Sequence, residues 1–184
     1  MTRIFLTLCV VSIVALAGAF WLGLEIGDAT LRDLLVQKNV GNHMLAGLAA
    51  LVFALLVHAV VLTYFMGTGR WLEETTLAYH LPTDWQQESK SLKYRTIPAM
   101  VLGMVLLIVT GAFGAASDPA TGIGFRGWGD LSAGTLHMLV AMGAVGFNLL
   151  VNLLEYSALH RNGVIVNEVL QQVRKMRLER GLEV

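Results

Sequence analysis

The sequence predicts an all-α integral membrane protein: a four-transmembrane-helix bundle built from a tandem duplicated helix pair, with a short outer interfacial helix and a cytoplasmic C-terminal amphipathic helix. Three observations predict it. The 184 residues are 55% hydrophobic and only 14% charged, with a mean hydropathy of +0.64, well outside the balance of an ordinary soluble domain. Four apolar runs contain no Asp, Glu, Lys or Arg, and each has roughly the 20 residues that carry a helix across about 30 Å of hydrocarbon. The tripeptide His-Met-Leu occurs twice, at 43–45 and 137–139, each time at the start of one of these runs.

The first helix pair occupies 1–66, with spans over 4–24 and 44–66; the second occupies 97–156, with spans over 97–116 and 134–154. Helices are required because backbone polar groups in lipid must be satisfied within the segment, and the runs are about twice the length of a barrel strand. The first run could alternatively serve as a signal peptide, with Arg3 ahead of it and Ala15-Leu16-Ala17 as a small-residue pattern, but it is long for that role and the repeat needs it as partner to the third helix. Between the first two spans, Asp28 as a cap and Leu31, Leu34 and Leu35 at helical spacing predict a short outer helix over 28–38. The 117–133 connection is turn-rich, with Asp118-Pro119 and glycines at 122, 124, 127 and 129. Residues 67–96 form a cytoplasmic loop region into which the second helix continues as far as Tyr79, before Pro82. In 157–184, Val166, Val169, Leu170, Val173 and Met176 share one face of an amphipathic helix, preceded by a turn at Asn162-Gly163.

Orientation follows from the basic residues, which are retained on the cytoplasmic side. The N-terminal end, the 67–96 segment and the tail hold ten Lys and Arg; the other two connections hold three, Arg32, Lys38 and Arg126. Both termini are therefore expected in the cytoplasm of a bacterial-type inner membrane, with both His-Met-Leu motifs near the outer face. A net charge of zero gives no footprint for nucleic acid, and the single cysteine, Cys9, precludes an internal disulfide.

Written without a gap, 43–58 and 137–152 agree at eight of sixteen positions, and Gly18-Ala19-Phe20 returns as Gly111-Ala112-Phe113. Such self-similarity fixes architecture. In a parallel repeat the halves are related by an axis along the membrane normal, so His43 and His137 are expected to converge at one depth. Opposed imidazoles suit a b-type haem, whose iron takes one ligand on each face and whose ring needs a slot lined by small side chains. Gly47 and Ala144 lie on the stripes that continue from the two histidines, and Ala50, Ala54 and Ala141 extend them, with Gly143 and Gly146 near the second stripe and Gly111 and Gly114 at similar depth on the third helix. The arrangement resembles the bis-histidine plan of membrane four-helix b-type cytochromes over the second and fourth helices. That resemblance implies one haem b held by His43 and His137, and electron transfer between an outer-face redox protein and membrane quinone.

Other readings of these residues stand beside it. The pair could hold a different metal, or the histidines could be interfacial and the Gly and Ala stripes plain helix contacts with no cofactor. His58 lies deeper, but its repeat partner is Asn152, a poor haem ligand, so a second haem is not expected. His58, Asn148, Asn152 and Glu155 form a polar cluster suited to a quinone head group, a proton site or interhelical hydrogen bonding. With so little extramembrane mass, the chain is expected to work with other membrane subunits as a non-catalytic part of an oxidoreductase complex, or as a cofactor-free accessory subunit docking through its tail. A small oligomeric transporter is a further alternative. No phosphate loop, dinucleotide fingerprint or His-Glu-x-x-His motif is present.

Overall fold

A computed structural model describes residues 1–31 and 33–182; Arg32, Glu183 and Val184 lie outside it. Four long helices account for nearly all of the described chain: α1 (Thr2–Leu24), α2 (Leu34–Tyr79), α3 (Asp84–Ser117) and α4 (Ala133–Glu179). All four are long and apolar enough to cross a membrane. Their outward surfaces fit lipid, with Leu45 72% and Val14 65% exposed. The interior is lined by small residues such as Ala50, Ala54 and Ala144, each at most 1% exposed. Small side chains let helix backbones approach closely where lipid provides no hydrophobic drive between them.

Consecutive helices make the most extensive contacts, α1 with α2 and α3 with α4; α2 packs on α3 and α1 on α4 to close the bundle. Across the middle, α2 touches α4, whereas α1 and α3 do not meet among the described residues. The section is therefore a rhombus whose short diagonal joins the two helices that carry the His-Met-Leu motifs.

At 1.5 Å per residue, α2 and α4 are each about 70 Å long, more than twice a bilayer core. The surplus corrects three expectations. No separate helix covers 28–38: Asp28 closes a turn by accepting from Thr30, and Asp33 then caps α2 by accepting from the Leu35 and Val36 N–H groups. With no strong breaker from Leu34 onward the helix axis simply continues, leaving Leu34 89% and Leu35 66% exposed and not roofing the bundle. The polar 84–96 stretch is likewise the first part of α3. Finally, Asn162-Gly163 makes no turn; α4 runs straight through it. Asn162 is fully buried, and its amide accepts from Ser89 Oγ (2.6 Å) and donates to Thr68 Oγ1 (3.0 Å). Two neighbouring helices, α2 and α3, thus provide partners that outweigh the local turn tendency.

Part of the expected apolar face of the tail, Val169, Val173 and Met176, packs within its own chain, joined by Ile165, while Leu170 is 47% exposed. Ile165 and Val169 join Leu72 and Leu81 in a buried cluster flanked by Trp71, Trp85 and Val173. Arg161 clamps Glu88 through two hydrogen bonds (2.6 and 2.8 Å), and Trp85 Nε1 donates to Glu168 (2.8 Å). Between α2 and α3 the chain turns at His80, whose left-handed backbone (φ 53°) lets the Leu81 N–H reach Thr76 O at 3.0 Å. At the opposite end a two-stranded hairpin pairs Gly127–Trp128 with Leu131–Ser132. Only glycine fits at 127, where φ is 119° and a Cβ would run into the Leu131 carbonyl. Phe113, Phe125 and Trp128 pack edge to face beside the hairpin.

Candidate functional site

Histidines occur at two depths of the membrane-spanning bundle, in opposite environments. At the hairpin end, His43 of α2 and His137 of α4 meet across the short diagonal with ring centroids 5.9 Å apart and planes at 70°. His43 Nδ1–H donates to the Ala19 carbonyl on α1 (2.9 Å), which fixes the tautomer and leaves the Nε2 lone pair free. His137 Nδ1 is buried without a hydrogen-bond partner. Each ring lies against a glycine of the preceding helix. A Cβ at Gly23 would come within 2.9 Å of His43 Cε1, and one at Gly114 within 3.1 Å of His137 Cε1. Gly114 is among the residues expected at this depth, whereas Gly23 and the Ala19 carbonyl are the part of the site that motif reasoning missed. The signal for Gly23 was its place near the end of the first helix, as Gly114 is near the end of the third.

Of the residues expected to line a slot, Ala50, Ala54, Ala141 and Ala144 are buried, and Gly47 is half-buried with open space where a Cβ would stand. Gly143 and Gly146 face outward instead. Met44 and Leu45 are 45% and 72% exposed, so within the motif the histidine turns inward and the Met-Leu pair covers the bundle.

Two imidazoles facing each other could hold a metal, and the geometry can be set against candidate metals. An iron at about 2 Å from each nitrogen puts the ring centroids about 6 Å apart, and each ring can rotate about its own iron–nitrogen bond. The observed separation matches. Structural zinc needs four ligands, and among the described residues no group of three or more His, Cys, Asp and Glu side chains gathers anywhere.

Fifteen residues along α2, His58 is 1% exposed and fully engaged. Its Nδ1 is 2.8 Å from Glu155 Oε1 and its Nε2 is 2.8 Å from Asn148 Oδ1, both on α4. Glu155 is completely buried, and its second oxygen, Oε2, has no partner. Asn152 is buried beside this group but makes no hydrogen bond to His58. Three of the four residues expected to cluster thus share one hydrogen-bonded chain, with Asn152 next to it. His80 and His160 are exposed and belong to neither site.

Fold and site together define a membrane-spanning helical bundle with a facing imidazole pair near one end and a hydrogen-bonded polar core deeper inside. Comparison with protein-family models, with curated proteins and with solved structures finds no match to the chain.

Proposed function

We propose that the chain is a small b-type-cytochrome-like membrane subunit that carries electrons through one haem held by His43 and His137. The observation that supports this most is the pair itself: two imidazoles from opposed helices with centroids 5.9 Å apart. The Ala19 carbonyl adds to it, because a backbone acceptor on Nδ1 is the usual way a protein presents Nε2 to a metal. Gly23 and Gly114 lie against the rings, and Gly47 has open space where a Cβ would stand. Bound there, haem would supply one-electron chemistry; the chain's own residues would fix the ligands, exclude water and tune the potential.

The distribution of Lys and Arg favours termini in the cytoplasm and the imidazole pair near the outer face of a bacterial-type inner membrane. On this reading an outer-face redox protein and membrane quinone are the electron partners, and other membrane subunits complete the complex. The paired seating of both histidines is what a duplicated helix pair would produce. The cofactor-free accessory reading keeps only the exposed part of the tail, Leu170 and Leu178, as a docking surface, since Val169, Val173 and Met176 pack within the chain.

An optical spectrum of the detergent-solubilised protein tests the proposal. Split haem bands that vanish in both His43→Ala and His137→Ala are expected. A folded, colourless protein that takes up no added haem would overturn it.

A further inference from the structure

The chain at His58 poses a proton-counting problem. Both ring nitrogens face oxygen atoms at 2.8 Å, Glu155 Oε1 on one side and Asn148 Oδ1 on the other. A neutral imidazole has only one N–H. Both contacts are hydrogen bonds only if the His58–Glu155 pair carries one proton beyond that N–H. The extra proton can sit on Nδ1, giving imidazolium and carboxylate, or on Oε1, giving imidazole and carboxylic acid. In either case Nε2–H donates to Asn148, and the pair is neutral overall. Loss of the proton would leave a net negative charge in the bundle interior, with Glu155 Oε2 already lacking a partner, where an uncompensated charge is costly. The remaining N–H would then point to Glu155, and the Nε2 lone pair would face Asn148 Oδ1, so the Asn148 amide would have to invert and present its NH₂.

We infer that His58 and Glu155 form a binding site for one exchangeable proton within the membrane, with the Asn148 side chain inverting as the proton leaves. The surroundings isolate this site. Cys9 is the titratable side chain facing it from α1, next to the unpartnered Ser12 hydroxyl; α3 contributes Met100 and no titratable group to the same buried layer. Toward the terminal end, buried Phe65 on α2 and Leu159 on α4 separate it from the Thr68–Asn162–Ser89 layer. Exchange with water is therefore slow, and the site acts as a store rather than as part of an open wire.

The store has a use if electrons pass the outer pair, and this step rests on the haem reading above. His58 lies about 22 Å along α2 from His43. At an effective protein dielectric of about 20, one added electron at that distance raises proton affinity roughly fourfold. The balance is one electron from a one-electron donor and one proton from water, stored together and released together.

Nitrogen NMR of His58 in the unaltered, membrane-reconstituted protein tests the proton site without any variant. As pH rises, either one of two ring N–H signals should disappear, if the proton sits on Nδ1, or the single ring N–H should move from Nε2 to Nδ1, if it sits on Oε1, while the Asn148 amide signals shift; a protonation pattern of the two nitrogens that is the same at every pH would overturn the inference. In Glu155→Gln the same titration should be absent or displaced by more than a pH unit, and a titration identical to the parent would count against the dyad. The linkage has its own readout. Between acid and alkaline limits the haem midpoint potential should fall by about 35 mV, the fourfold effect at about 59 mV per decade for one electron, and Glu155→Gln should abolish the fall. A preparation that binds no haem would overturn the linkage and the proposed function together, leaving His58 NMR to decide the proton site alone.

Discussion

The positions of His43 and His58 on α2 show how neighbours decide what a buried histidine can do. His43 is answered across the bundle by a second imidazole, is seated against Gly23, and has one nitrogen tied to a backbone carbonyl. His58 is answered by Glu155 and Asn148, which occupy both of its nitrogens. The repeat places a histidine opposite the first and Asn152 opposite the second. The upper pair therefore has nitrogen lone pairs to offer a metal, while the lower histidine has none. Ligand binding here depends less on having an imidazole than on leaving it unsatisfied.

The largest expected effect comes from filling the seats. Gly23→Val and Gly114→Val each put side-chain atoms where the His43 and His137 rings lie, so either should abolish haem binding as completely as removing the histidine, while circular dichroism retains its helical signal. Haem retained at parental affinity in both variants would break the upper half of the comparison. Next is the lower site. Glu155→Leu leaves His58 with a lost partner in the dry core and should destabilise the bundle by about 3–5 kcal/mol, whereas His58→Leu combined with Glu155→Leu should recover most of that loss. Denaturant unfolding of the reconstituted protein measures both; a double variant no more stable than the single one would mean that shape, rather than polar pairing, sets the site.

A subtler change sharpens the contrast. Asn152→His restores the imidazole that the repeat lacks, yet the haem content should remain one per chain, because His58 stays bound to Glu155 and Asn148. Pyridine haemochrome assay reads the stoichiometry, and a second haem would show that the lower histidine is available after all.

How much of this was legible in the sequence depended on which force set each feature. The four spans follow from charge-free runs of sufficient length, a property of segments that packing cannot overrule. The meeting of His43 and His137 was legible because the likeness of 43–58 to 137–152 suggested a parallel repeat, whose axis would bring the two histidines together. Helix ends were less legible. The supposed outer helix at 28–38 and the supposed turn at Asn162-Gly163 were both absorbed into longer helices, the first because Asp33 caps a helix with nothing to stop it, the second because Ser89 and Thr68 satisfy Asn162. The partners of His58 were recognised as a cluster, but nothing in the spacing of Asn148 and Glu155 revealed that one would take each nitrogen. Gly23 was missed because its position near the end of the first helix, the counterpart of Gly114 near the end of the third, means little until its neighbour is known.

The same logic of satisfied groups extends to the terminal end, where effects should be smaller. Asn162→Leu strands the Ser89 and Thr68 hydroxyls and should cost about 1–3 kcal/mol, read as early loss of the Trp85 fluorescence signal on heating, with haem absorbance unchanged. The smallest effect is expected at the Glu88–Arg161 clamp. Its hydrogen-bonded guanidinium holds the Glu88 carboxyl below the usual carboxylate range. A lowered folded-state pKa means that the clamp stabilises fully above the ordinary glutamate pKa and loses its contribution as pH falls through the lowered value. Both side chains are about two-fifths exposed, so salt screens the pair and its worth is slight. Glu88→Gln should therefore lower the melting temperature slightly at neutral pH and low salt, with the difference from the parent vanishing in acid or at high salt. An equal difference at all pH values would mean that the Glu88 side chain contributes through packing instead.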